Sequence, residues 1–169
     1  MGKPIKGKVW KFGDSMNTDD MYPSVALSMS IKDASAYAFS SSRPGWTSEV
    51  GRGDIVLAGR DFGVGSSRPV PLLFRQLGIS AVLAESITSL FFRNCVNYGL
   101  RVLAIEGLHA AFEEGQIAEV DIENGLVRNL DTDMEFAGAR YPPMLLALIE
   151  SGGVLNRLRS GGYLAELSK

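Results

Sequence analysis

The sequence predicts an α/β fold with a parallel βαβαβ core. Three observations carry this. Apolar runs of strand length recur at "DIVLAG" (54–59), "ISAVLAE" (79–85) and "LRVLAI" (100–105). The segments between them carry helix start and stop signals. Strands that alternate with helices read as a parallel sheet, whose crossovers are right-handed.

Each element follows from its residues. "GKVWKFG" alternates and closes on Gly13, which reads as a short strand. "DSMNTDDMYP" is a polar turn rich in Asp and Asn. Residues 24–50 mix small, polar and aromatic residues without a clear period, which reads as a long, irregular and mobile substrate loop with helix in part of it as the alternative. Pro69 suits the first turn of a helix running to Leu77, with Gly78 closing it. Ser86 is placed to cap a second helix, "ITSLFFRNCVNYG", which ends at Gly99. Alternating runs around Asn124-Gly125 mark a β-hairpin. "PPMLLALIESGG" (142–153) is a helix with Pro at its start and Gly past its end. There is no internal repeat, so a single domain over 1–169 is expected.

Composition narrows the function. Hydrophobic residues make up 46% of the 169 and charged residues 21%, enough apolar material for a packed core. The formal charge is −2 with both signs scattered, so no basic stripe marks a nucleic-acid partner. No apolar run approaches the roughly 18 residues of a membrane span. The N-terminal "MGKPIKGKVW" lacks the apolar centre of a signal peptide, and a cytoplasmic location is expected. The single cysteine, Cys95, excludes an intrachain disulfide and a cysteine cluster for zinc or iron–sulfur, and His109 is the single histidine. Any histidine-based metal site or triad would have to be built around His109. That residue is expected on a helix face, and Cys95 in the core.

The stretch "GRDFGVGSSRPVP" (59–71) lies between a strand and a helix. Ligands in open parallel sheets bind outside the carboxyl ends of the strands. Amides at the start of the next helix point outward there, and Arg68 adds a fork suited to a carboxylate or phosphate. Gly63 and Gly65 allow the backbone to approach a ligand. From spacing alone, the same residues also serve as ordinary turn and cap residues. Neither the phosphate-loop lysine nor a GxGxxG pattern is present.

Together "FGDSMNTDDMYP", "GRDFGVGSSR" and "LFFRNCVNYGL", with the closing "ARYPPMLLALIESGGVL", resemble one family. It is the swivel domain of the aconitase superfamily in its detached form, the small subunit of 3-isopropylmalate dehydratase-type enzymes. The resemblance runs from Gly7 to about Leu158. It implies an aconitase swivel-type α/β fold and a hydro-lyase working as a heteromeric complex. The implied substrate is a dicarboxylate, a 2-hydroxy diacid with an alkyl substituent. The implied partner is a large subunit carrying a [4Fe–4S] cluster, with no cofactor or metal in this chain.

By the same resemblance, Ser66 is the general base, Ser67 and Arg68 hold the substrate carboxylate, and Asp19 is the acidic residue of the site. An alkoxide at Ser66 would be stabilised by Arg68 and by free amides at the helix start. The sequence departs from the family in three places. Gly-Ser-Ser-Arg is followed by Pro69-Val70-Pro71 rather than Glu-His-Ala. Val64 stands where a cysteine is usual. "PSVALSM" replaces a loop with Arg-Tyr-Leu. Val25, Ala26 and Leu27 then suit an alkyl group, since an unpaired carboxylate beside them would be costly to desolvate. The alternatives are packing of these three residues in the core, a dehydratase for another substituted malate, and a swivel domain kept only as a binding partner.

Overall fold

The computed structural model describes residues 3–65 and 68–163. Seven strands form one sheet: β1 (Ile5–Phe12), β2 (Ile55–Ala58), β3 (Ala81–Ala84), β4 (Arg101–Ala104), β5 (Ile117–Asp121), β6 (Leu126–Asn129) and β7 (Glu135–Ala137). Their order is β4-β3-β2-β1-β5-β6-β7. The parallel core is present, with α4 (Val70–Leu77) between β2 and β3 and α5 (Ser89–Asn97) between β3 and β4.

β1 divides its pairing. Val9 to Phe12 run parallel to β2, while Ile5 to Lys8 run antiparallel to β5. One strand therefore joins the parallel half to the hairpin half. The hairpin turns at Asn124 and Gly125 as expected, and Gly125 has φ +69°. β7 adds to β6 and carries no sequence signal of its own. The helix expected in 142–153 is α6 (Pro143–Glu150), with Gly152 and Gly153 past its end, and a further helix, α7 (Val154–Ser160), follows.

Alternation along the strands sends side chains into two layers. Trp10, Phe12, Val56, Ala58, Val82 and Ala84 face one cluster with Phe74 of α4 and Phe91 of α5. Val9, Ile55, Leu57, Ala81 and Leu83 face the other, with Val96 and Ile149. Helix ends follow the sequence with one change. Gly78 closes α4 at φ +86°. Thr88, not Ser86, caps α5, accepting from the Phe91 amide at 3.4 Å. Ser86 is engaged elsewhere, its Oγ accepting from the Asp61 amide at 2.8 Å.

Segment 24–50 is not irregular throughout. A 3₁₀ turn spans Ser24–Ala26, followed by α2 (Ile31–Ser35) and α3 (Trp46–Glu49). Ser30 caps α2 by accepting from the Asp33 amide at 3.2 Å. Phe39 and Trp46 are fully buried in the first layer. Phe39 stacks on Phe12 at 4.1 Å between centroids, and Trp46 meets Phe39 edge-on at 5.2 Å. Periodicity missed this because the buried aromatics are spaced by coil rather than by a repeat.

Candidate functional site

Two loops meet at the carboxyl edge of β1 and β2. After β1, Asn17 caps α1 (Thr18–Met21), its side-chain oxygen accepting from the amides of Asp19 at 2.7 Å and Asp20 at 2.9 Å. This is why "NTDD" folds as a tight turn: Asn at the cap satisfies two amides that the first helical turn leaves open. The cap presents Asp19 outward, with its side chain 62% exposed.

After β2, the chain from Gly59 to Gly65 is stitched between neighbours on both sides. Towards the β1 loop, the Arg60 amide donates to Asp14 Oδ1 at 2.7 Å. The Gly63 amide donates to the Met16 carbonyl, and the Thr18 amide to that of Val64, both at 2.9 Å. On the other side the Phe62 amide donates to the Ser86 carbonyl at 3.0 Å, and Thr88 Oγ1 to the Gly63 carbonyl at 2.8 Å. Gly63 is required for packing. A Cβ there would lie 2.3 Å from Phe91 Cβ, and φ is +87°. The space at Gly63 is therefore filled by α5 and not kept for a ligand.

Ser66 and Ser67 lie outside the described residues. The chain re-enters at Arg68, whose guanidinium reaches back across the two loops. Its Nη1 donates to the Tyr22 carbonyl at 2.6 Å. Its Nη2 lies 3.0 Å from Asp19 Oδ1 and donates to Ser24 Oγ at 3.2 Å. The side chain is only 16% exposed. The fold thus brings together Asp19 and Arg68, residues that lie far apart in the sequence.

The start of α4 differs from expectation. The Val70 amide donates to the Arg68 carbonyl at 2.8 Å and the Leu72 amide to the Pro69 carbonyl at 3.0 Å. Pro69 and Pro71 have no N–H. No free amide from 69 to 72 is left for an anion, and among the described residues Arg68 is the cation set against Asp19. Val70 is fully buried, and Pro71 is buried beside it. A side chain at position 70 points into the core and not at the Asp19–Arg68 pair.

The remaining expected residues divide. Val25, on the 3₁₀ turn, is 62% exposed and Leu27, capping its end, 47%, whereas Ala26 is fully buried in the core. The packing alternative therefore holds for Ala26 alone. His109 lies on a separate 3₁₀ turn (His109–Ala111), and no described polar contact joins it to Asp19 or Arg68. Cys95 is buried, and burial pushes its thiol pKa well up. Among the described residues no group of three His, Cys, Asp or Glu is placed to hold a metal ion, and one cysteine in the chain does not supply the thiolate set of an iron–sulfur cluster. No described helix is long and apolar enough to cross a membrane. Asn17 and Ser24 were not singled out from sequence. Asn17 carries a readable cap signal; Ser24 carries none.

Comparison with known proteins agrees with this architecture. The aconitase C-terminal domain model matches residues 28–108. The 3-isopropylmalate dehydratase small subunit of Hydrogenobaculum is 36% identical, covering 92% of this chain and 96% of that one. The methanogen homoaconitase small subunit of Methanothermobacter thermautotrophicus is 34% identical over 90% of this chain and 89% of its own. The crystal structure of 3-isopropylmalate dehydratase from Methanocaldococcus jannaschii superposes with a TM-score of 0.87 at 26% identity, covering 94% of this chain and 95% of that one. The chain belongs to the aconitase family, among the detached small subunits of the 3-isopropylmalate dehydratase type.

Proposed function

We propose that this chain is the small subunit of a hydro-lyase acting on a 2-hydroxy diacid with an alkyl substituent, of the 3-isopropylmalate type. The observation that carries the reading is the Arg68 fork, held 3.0 Å from the exposed Asp19 carboxylate at the carboxyl edge of the sheet. A planar guanidinium suits a carboxylate. Asp19 stands open to solvent, so the arrangement is half of a site, needing a facing surface to exclude water. A large subunit supplies that surface, together with the cluster whose Lewis acidity assists departure of the hydroxyl.

Within this reading Ser66 takes the proton beside the carboxylate, and Ser67 and Arg68 hold the carboxylate. Arg68 is the cation that favours an alkoxide at Ser66, since the start of α4 offers no free amides from 69 to 72. Loss of the His of the Glu-His pair is compatible with activity, because position 70 packs inward. The exposed apolar pair Val25 and Leu27 faces the substituent and favours an alkyl group over a third carboxylate.

The test is anaerobic reconstitution with the large subunit, followed by assays across substituted malates. Ser66→Ala is expected to lower kcat by about 10²–10⁴-fold with the fold intact. Near-normal turnover would remove the general-base role. An assembled, cluster-loaded complex without turnover on any malate would favour the binding-partner reading.

A further inference from the structure

Among the described residues, three acceptors hold the Arg68 fork, and all come from one short stretch, Asp19 to Ser24. They differ in kind. The Tyr22 carbonyl belongs to the backbone and takes Nη1. Nη2 is shared between the Asp19 carboxylate and the neutral Ser24 hydroxyl. Ser24 also opens the 3₁₀ turn that exposes Val25 and Leu27, its carbonyl accepting from the Leu27 amide at 3.2 Å.

These acceptors respond differently to an arriving carboxylate. A second anion at Nη2 is repelled by Asp19 and competes with it for the same proton donor. The Ser24 hydroxyl has no such conflict. It can accept from Nη2 while its own proton rotates to suit a neighbouring oxygen. It is the side-chain acceptor able to keep the guanidinium plane fixed while substrate is bound.

We propose that Ser24 is a positioning residue for Arg68, tying the carboxylate-binding fork to the turn that presents Val25 and Leu27. Recognition of the substituent and grip on the carboxylate are then coupled through one hydroxyl. An alkyl group resting on Val25 and Leu27 holds Ser24 in place, and Ser24 holds Arg68 in plane. The inference rests on the reading that Arg68 binds the substrate carboxylate.

The test uses the reconstituted complex and, separately, the free subunit. In the complex, Ser24→Ala is expected to raise KM about 5- to 10-fold, the scale of one solvent-exposed hydrogen bond, with kcat nearly unchanged. Ser24→Thr keeps the hydroxyl and is expected to restore KM. In the free subunit, side-chain ¹⁵N–¹H NMR reads rotation of the Arg68 guanidinium. It is expected to be slow in wild type and Ser24→Thr, and faster in Ser24→Ala. Unchanged KM or unchanged Arg68 rotation in Ser24→Ala overturns the proposal, the latter because Ser24 would then act without Arg68. Arg68→Ala separates the two ideas. If it raises KM while Ser24→Ala does not, only the Ser24 inference falls. If it leaves KM unchanged, the carboxylate-binding role of Arg68 falls, and the inference with it.

Discussion

The two parts of segment 24–50 are built on opposite terms. From Ile31 to Val50 the chain is fastened. Phe39 and Trp46 are buried among the rings of Phe12 and Phe74. Arg43 makes a two-pronged pair with Glu114 at 2.6 and 2.7 Å and lies over the Trp10 ring at 5.0 Å. From Ser24 to Ser30 the side chains of Val25 and Leu27 stand in solvent, Ala26 is locked into the core and Met29 packs half-buried against it. The contrast shows that this segment has a core function and a surface function side by side. The fastened part supplies one wall of the first hydrophobic layer. The exposed turn is free to vary in side chain at small cost to the fold. The mobility expected of the whole segment is accordingly proposed here for Ser24–Ser30 alone.

The largest expected effect breaks the fastened part. Trp46→Ala removes a buried ring in contact with four others and is expected to cost about 3–5 kcal/mol of stability. Val25→Ala is expected to change stability by no more than about 0.5 kcal/mol. Chemical denaturation of the free subunit checks both. Amide hydrogen exchange sharpens the same point: 31–50 should be protected more than 24–30. Equal protection in the two parts would show that the division is not dynamic.

Next comes specificity. In the reconstituted complex, Val25→Arg is expected to shift the kcat/KM ratio about tenfold towards substrates with a third carboxylate, through a charge-assisted hydrogen bond. Relatives named for isopropylmalate and for homoaconitase share this chain's fold family, so both substrate types belong in the assay. An unchanged ratio would mean the turn does not read the substituent.

The smallest effect concerns pH. The hydrogen-bonded Arg43 guanidinium holds the Glu114 carboxyl below its ordinary pKa. A depressed folded-state pKa stabilises the fold above the unfolded value, about 4.3, and that contribution is lost as pH falls through the folded value. Glu114 is 40% exposed, so solvent screening keeps the contribution below about 1 kcal/mol. Wild type and Glu114→Gln should therefore differ in Tm near neutral pH and converge below about pH 3. A gap that persists in acid would assign the stabilisation to neutral contacts.

Read alone, the sequence determined the βαβαβ core and the hairpin at Asn124-Gly125, and its resemblance to one family implied a site shared by Asp19 and Arg68. These rest on local chemistry: apolar runs of fixed length, glycine after a helix, and short motifs in order. It also contained the prolines that leave the start of α4 without free amides, although the cluster of polar residues before them pointed the other way. Only tertiary structure decided the rest. The split pairing of β1, the burial of Phe39 and Trp46, and the packing need at Gly63 all depend on what lies opposite in space. The grip on Arg68 is the sharpest case. Its strongest neutral acceptor is the Tyr22 carbonyl, 46 residues away. Every residue carries a carbonyl, so no residue type announces which one a guanidinium will find.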